Sequence, residues 1–143
     1  MSDRNLSDLD PKLQPLCQQF LANCKTAGLR AIITQTWRSY ANQDADYACG
    51  RTAPGNIITN ARGGLSPHNC TDDGTATGTP ASKAFDFALY DDGDNALDWD
   101  ASDPDWQKAI AIGEALGLIS GSTWHSLKDS PHFELPNWNQ PTV

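Results

Sequence analysis

Apolar positions along this chain follow two different periods, and the switches between them mark out the elements. Leu13, Leu16, Cys17, Phe20, Leu21 and Cys24 recur at steps of three and four between Asp10-Pro11 and Gly28. That is the stripe of an amphipathic helix, opened by an N-cap with proline at the first helical position and closed by glycine. From Leu29 to Trp37 the pattern becomes β-branched and alternating, with Ile32, Ile33, Thr34 and Thr36, which predicts a strand. Ser39 then caps a helix that runs through Tyr47 and ends at Gly50-Arg51. Lys83 to Tyr90 reads as a second strand, and Asp103-Pro104 repeats the helix start. Trp106, Ile110, Ala111, Ala115 and Leu116 carry that helix to Gly117, and Leu118 through Trp124 returns the chain to the sheet. The expected class is α+β: a small, mainly antiparallel sheet with the helices from Pro11 and Pro104 packed on one face.

Two stretches lack either period. Thr52 to Leu65 is rich in Gly, Pro and Asn, and a loop this long in a small domain is usually functional, so it is expected to border a cleft and lead His68 into place. Asp91-Asp92-Gly93-Asp94-Asn95 reads as a solvated hairpin tip, because the aspartates between Asp91 and Asp100 lack the spacing of a calcium loop.

The chemistry concentrates in Lys128-Asp129-Ser130-Pro131-His132-Phe133-Glu134-Leu135. Proline fixes its own φ and pushes the residue before it toward extended geometry, so this is a turn feeding a short strand. On such a backbone Asp129 can sit beside a metal held by His132 without binding it, where a hydrolytic site needs its proton acceptor. A catalytic zinc takes three protein ligands and keeps a fourth position for water. The histidines are His68, His125 and His132, which leaves His68 and Asp86 as the best remaining ligands. Asp86 interrupts an apolar strand, where a lone carboxylate costs on the order of several kcal/mol unless a cation or hydrogen bonds compensate it. The plainer alternative is three unrelated residues: a turn histidine, a hydrogen-bonded buried acid and a strand histidine.

Ser66-x-His68, Ala84-x-Asp86 and Asp129-x-x-His132-Phe133, in that order, resemble the signature of a family of zinc peptidases. The family includes D-alanyl-D-alanine carboxypeptidases and dipeptidases and the L-alanyl-D-glutamate endopeptidases of phage endolysins. The resemblance covers the chain from about Thr34 to Leu135 and implies the hedgehog/DD-peptidase fold. It also implies His68, Asp86 and His132 as ligands of a Zn2+ ion, Asp129 as general base, and the peptide stem of bacterial peptidoglycan as substrate. An arginine after a strand and a glutamine in the next helix turn belong to the same pattern, here Arg38 and Gln43, which the resemblance implies as substrate-binding residues. Arg38 would hold a substrate carbonyl or carboxylate and brace the oxyanion, although a lone arginine otherwise reads as a solvated surface charge. Ser66 and Trp124 are further candidates for substrate contact, against the plainer roles of turn hydroxyl and core tryptophan. His125 falls outside the ligand pattern and reads as surface or as a neighbour of the ligands. One departure stands out: eighteen positions separate His68 from Asp86, more than the family pattern has. The extra residues, Cys70 to Ser82, have the turn chemistry of a hairpin tip, which is inserted at little loop-closure cost.

The chemistry implied is metal-assisted amide hydrolysis, with Asp129 taking a proton from water and passing it to the leaving amine. Within the family, the Trp37-Arg38-Ser39 and Gly50-Arg51 stretches look most like a phage or prophage endolysin cutting between L-alanine and D-glutamate. A D-alanyl-D-alanine carboxypeptidase or dipeptidase is the first alternative. A non-catalytic zinc-containing binding module is the second, and Asp129 as a base speaks against it.

Composition narrows the setting. A length of 143 residues suits one catalytic domain with no separate cell-wall-binding domain. The apolar fraction of 38% is low, but five tryptophans and seven Phe or Tyr residues add packing mass. The net charge of -8 comes from eighteen acids, seven of them between Asp91 and Asp105. Such a surface repels nucleic-acid phosphates and an anionic envelope alike, so a wall substrate would be held by pocket contacts. No run approaches the ~18 apolar residues of a membrane span, and Met1 to Asn5 carries no apolar leader segment. We therefore expect a monomer made in the cytoplasm without a signal peptide, not inserted in a membrane, and released to the wall by a holin. With no CxxC pair, Cys17, Cys24, Cys49 and Cys70 read as reduced thiols, Cys49 and Cys70 being the two that a fold could bring together.

Overall fold

The computed structural model describes residues 3–91, 96–124 and 127–139. Among the described residues five strands form one antiparallel sheet: β1 (Ala31–Gln35), β2 (Ala84–Tyr90), β3 (Leu97–Asp98), β4 (Ile119–Gly121) and β5 (Asp129–Glu134). The order is β1-β2-β5-β4, with β3 paired to β2. β2 is central. Asp86 lies opposite Gln35 on one edge and opposite His132 on the other, while Leu89 and Tyr90 pair with β3 along the rest of that second edge. Among the described residues the α-helices are α1 (Gln14–Thr26), α2 (Tyr40–Ala48) and α3 (Pro104–Ala115). This is the α+β arrangement the patterns predict, with the two-residue β3 added.

Side chains alternate across a strand, and here the alternation separates packing from chemistry. Phe85, Phe87 and Leu89 of β2 join Phe133 of β5 and Ile33 of β1 in a core shared with Leu13, Phe20, Trp106 and Ile110. Phe20 meets Phe85, Phe87 and Phe133 at ring-centroid distances of 5.7, 5.1 and 5.2 Å. Trp106 packs on Phe87 at 4.8 Å and satisfies its indole by donating to the Asp98 carbonyl at 2.8 Å. Burying each such ring contributes roughly 1.5–3 kcal/mol. Gly113 lets α3 descend onto the sheet, because a Cβ there would overlap the Phe133 ring.

The caps explain where the helices start. Asp103 accepts from the Asp105 amide and Ser39 from the Asn42 amide, as expected. α1 begins later than its sequence suggests. Asp10 does gather the Lys12 amide on its side chain and the Leu13 and Gln14 amides on its carbonyl. Pro15 has no N–H, however, so the regular ladder is delayed and the helix runs from Gln14.

The stretch from Cys70 to Ser82 is a small hairpin, in which Asp72 N–H donates to Thr79 O at 2.9 Å and Ala81 N–H to Cys70 O at 3.0 Å. All four cysteines are free thiols, and burial pushes Cys17 up to about 12 and Cys24 up to about 11. Among the described residues no helix is long and apolar enough to cross a membrane. The tip of the acidic turn, residues 92–95, and His125 lie outside the described residues.

Candidate metal centre

The sheet face away from α1 and α3 carries Asp86 and His132 side by side, because they are direct partners across β2 and β5. His68 arrives from outside the sheet on a single 3-10 turn, Pro67–Asn69. Ser66 caps that turn by accepting from the His68 amide at 3.2 Å, and the Asn69 side chain accepts from the Ser66 amide at 3.2 Å. The turn is tied to the end of β1: Arg38 N–H donates to His68 O, and Asn69 Nδ2 donates to Arg38 O, both at 2.9 Å.

Three donor atoms converge here. His68 Nε2 lies 3.2 Å from Asp86 Oδ1 and 3.2 Å from His132 Nδ1, and the Asp86 and His132 atoms are 3.3 Å apart. The outer side of each imidazole fixes its tautomer. His68 Nδ1 contacts the Thr36 carbonyl at 2.7 Å, and a carbonyl only accepts, so Nδ1 carries the proton. His132 Nε2 contacts Glu134 Oε1 at 2.8 Å, and a carboxylate likewise accepts. Both neutral rings therefore turn a bare lone pair toward Asp86 Oδ1. Three lone pairs this close repel one another unless a cation sits among them.

The hollow fits zinc. Tetrahedral zinc with bonds of about 2.0–2.1 Å sets its ligand atoms about 3.3–3.4 Å apart, which matches the observed edges. Without a metal a proton must serve instead. Burial opposes charge on His132, but hydrogen bonds to Asp86 and Glu134 outweigh it and push its pKa up to about 9. Burial would likewise raise Asp86, yet the two imidazoles hold its carboxyl well below the usual carboxylate range.

Asp129 stands beside this triad and outside it. Its half-exposed carboxylate lies 3.9 Å from His132 Nδ1, within one bridging water of the converging atoms. Pro131 cannot donate to the ladder, and the β4–β5 register shifts between Ser120 and Gly121 to absorb it. A Cβ on Gly121 would overlap the Asp129 carbonyl, so glycine lets the strands close at the base. Burial first, and the charge of Asp86 second, push the Asp129 carboxyl upward, toward the poise that suits a general base.

A cavity of about 400 Å³ opens over these groups, lined by Arg38, Ser66, His68, Trp124, Asp129 and His132 among others. Arg38 is held at three corners: Nη1 donates to Gln43 Oε1 at 2.8 Å, Nη2 to Gln35 Oε1 at 2.7 Å, and Nε lies 3.6 Å from Asp46 Oδ2. The resemblance puts Gln43 at the substrate, but the structure buries it completely and keeps it off the cavity wall. Its amide donates to Ala61 O at 2.8 Å, so it ties Arg38 to the 52–65 loop. Ser66 lines the cavity while its hydroxyl caps the His68 turn. Trp124 forms a wall, its ring 4.9 Å from that of His132. Ile58, Thr59, Asn60, Ala61 and Leu65 show that the long loop does border the cleft. Sequence reasoning missed Gln35, Asp46, the Thr36 carbonyl and Glu134. For Glu134 a signal existed, since residues two apart on a strand share a face.

The chain is 35% identical over 139 residues to the peptidoglycan L-alanyl-D-glutamate endopeptidase CwlK of Bacillus subtilis (strain 168), covering 92% of this chain and 76% of that protein. The chain belongs to the L-alanyl-D-glutamate endopeptidase family. The crystal structure of the L-Ala D-Glu endopeptidase ChiX of Serratia marcescens has the same fold, with a TM-score of 0.59 at 18% identity over 94% of this chain and 88% of that one. No family model matches the sequence. In this member of the endopeptidase family the hairpin of residues 70–82 stays off the wall of the 400 Å³ cavity and leaves the three donors together.

Proposed function

We propose that this protein is a zinc-dependent peptidoglycan endopeptidase that hydrolyses the L-alanyl-D-glutamate bond of the stem peptide. The observation that carries the reading is the triangle of His68, Asp86 and His132 donor atoms with Asp129 beside it, in a chain 35% identical to an enzyme of that activity. His68 Nε2, Asp86 Oδ1 and His132 Nδ1 would hold the metal, with Thr36 and Glu134 fixing the two rings. A zinc ion bound there supplies Lewis acidity, polarising a carbonyl and bringing the pKa of water toward neutrality.

The chain's own residues do the rest. Asp129 accepts the proton of the attacking water and returns it to the amine that leaves with D-glutamate. Arg38, already fixed by Gln35, Gln43 and Asp46, meets the negative charge on the substrate side of the cavity. That charge is the developing oxyanion together with the free α-carboxylate of D-glutamate. Trp124, with the exposed apolar residues Ile58, Leu65 and Leu127, supplies walls that grip an uncharged backbone and thin out water. The protein acts as a monomer, and with a net charge of -8 it holds the wall through this pocket rather than by general attraction.

Digestion of purified sacculi, with mass spectrometry of the products, tests the reading. New amino-terminal D-glutamate is expected. Free D-alanine as the only product would make the protein a carboxypeptidase, and zinc binding without any cleavage would make it a binding module. The finer role, an endolysin that reaches the wall through a holin, is supported by the likeness to phage enzymes, while CwlK and ChiX are bacterial. Lysis on co-expression with a holin, absent when Asp129→Ala replaces the wild type, is the expected outcome.

A further inference from the structure

A second cavity of about 670 Å³ lies against the first, and Leu65 and Trp138 line both. One side of it is built by the first residues of the 70–82 hairpin, the other by Tyr40 at the start of α2. The hairpin wall is fixed. Asp73 Oδ1 accepts from the Thr75 amide at 2.9 Å and from the Thr75 hydroxyl at 2.8 Å, and Asp72 Oδ1 accepts from the Thr79 amide at 2.9 Å. Tyr40 Oη donates across to Gly74 O at 3.5 Å. Lys83 lines the same cavity and donates from Nζ to the Trp138 carbonyl at 3.1 Å. That uses one of its three N–H bonds, and among the described residues no carboxylate forms a salt bridge with it. The cavity therefore offers one anchored ammonium facing the same space as two anchored carboxylates, the complement of a zwitterionic group.

The two cavities meet at Leu65 and Trp138, and Asn69, on the wall of the second, holds the Arg38 carbonyl at 2.9 Å. Charge says which end of the stem enters it. Toward the glycan the stem has only L-alanine on an uncharged sugar ether, whereas beyond D-glutamate comes a diamino acid. In the diaminopimelate class that residue ends in an ammonium and a carboxylate, and in the lysine class in an ammonium alone.

We propose that the second cavity is the subsite for the third stem residue, and that Lys83, with Asp72 and Asp73 beside it, selects the diaminopimelate class over the lysine class. The inference rests on the endopeptidase reading above. Cross-linking of the wall consumes the distal ammonium and spares the carboxylate, so Lys83 is the discriminating contact in mature wall as well as in free stems.

The test compares zinc-loaded enzyme on L-Ala-γ-D-Glu-meso-diaminopimelate and L-Ala-γ-D-Glu-L-Lys. A preference of about tenfold in kcat/KM is expected for the first, the effect of one charge-assisted contact at a partly open site. Lys83→Met should bring the two values together, and Lys83→Arg should restore most of the gap. Equal wild-type values, or a gap that survives Lys83→Met, would overturn the subsite while leaving the endopeptidase intact. Cleavage of neither peptide between alanine and glutamate would overturn both. Binding of the dipeptides D-Glu-γ-meso-diaminopimelate and D-Glu-γ-L-Lys to wild-type enzyme gives a reading free of any variant, with the same preference expected and equal affinities counting against the proposal.

Discussion

β2 is covered on both faces, and the two coverings work by different physics. Phe85, Phe87 and Leu89 point into aromatic packing and are at most 2% exposed, held by area and dispersion that many shapes could supply. Asp86, between Phe85 and Phe87, points the other way toward two imidazoles whose outer protons are placed by Thr36 and Glu134 and whose inner lone pairs meet its Oδ1. The apolar face degrades gradually, since volume-conserving changes are tolerated and cavities cost in proportion to their size. The polar face is closer to all or nothing, because removing one member strands a buried charge at about 3–5 kcal/mol. The first face fixes where the strand sits, and the second depends on it. A slip of one residue would exchange the two.

This contrast can be broken from either side. Asp129→Ala should lower turnover by about 10²–10⁴-fold while zinc binding and melting temperature stay near wild type, and near-normal turnover would remove its role as base. Phe87→Ala should cost roughly 3–5 kcal/mol in denaturant unfolding with kcat per folded molecule kept, whereas a lost kcat at full stability would show that the faces are not separable. The polar face should also reveal itself through pH when the metal is chelated. His132 has its folded pKa pushed up to about 9, above its ordinary 6.5. Its protonation therefore stabilises the fold fully below pH 6.5, and that stabilisation is lost as pH rises through about 9. Melting of chelated protein should fall by several degrees across that window, and a flat profile would contradict the assignment. The smallest effect belongs to a site remote from both faces: Asp103→Ala removes the α3 cap and should cost about 1 kcal/mol, with product analysis unchanged.

How far the sequence could be read follows the same division. Period and caps place β1, β2, α2 and α3 because those signals are local, and the ordered motifs single out His68, Asp86, His132 and Asp129. What escaped was relational. Glu134 and the Thr36 carbonyl serve the site only because β5 and the 3-10 turn bring imidazoles to them. Gln43 keeps its link to Arg38, but its depth depends on how the 52–65 loop closes over α2. Gln35 pairs in register with Asp86 across the β1–β2 edge, a neighbour that strand alternation alone does not name. The hairpin tip at 70–82 was legible as turn chemistry, whereas the second cavity beside it required knowing where Tyr40 and Lys83 lie.

The central claim is that one divalent ion is held by His68, Asp86 and His132 while the neighbouring acid stays out of its coordination. Calorimetric zinc titration of the apo-protein and four alanine variants tests it most directly. The account predicts one zinc per chain for wild type and for Asp129→Ala, and loss of high-affinity binding in His68→Ala, Asp86→Ala and His132→Ala. Full affinity in any of those three, or its loss in Asp129→Ala, would contradict it.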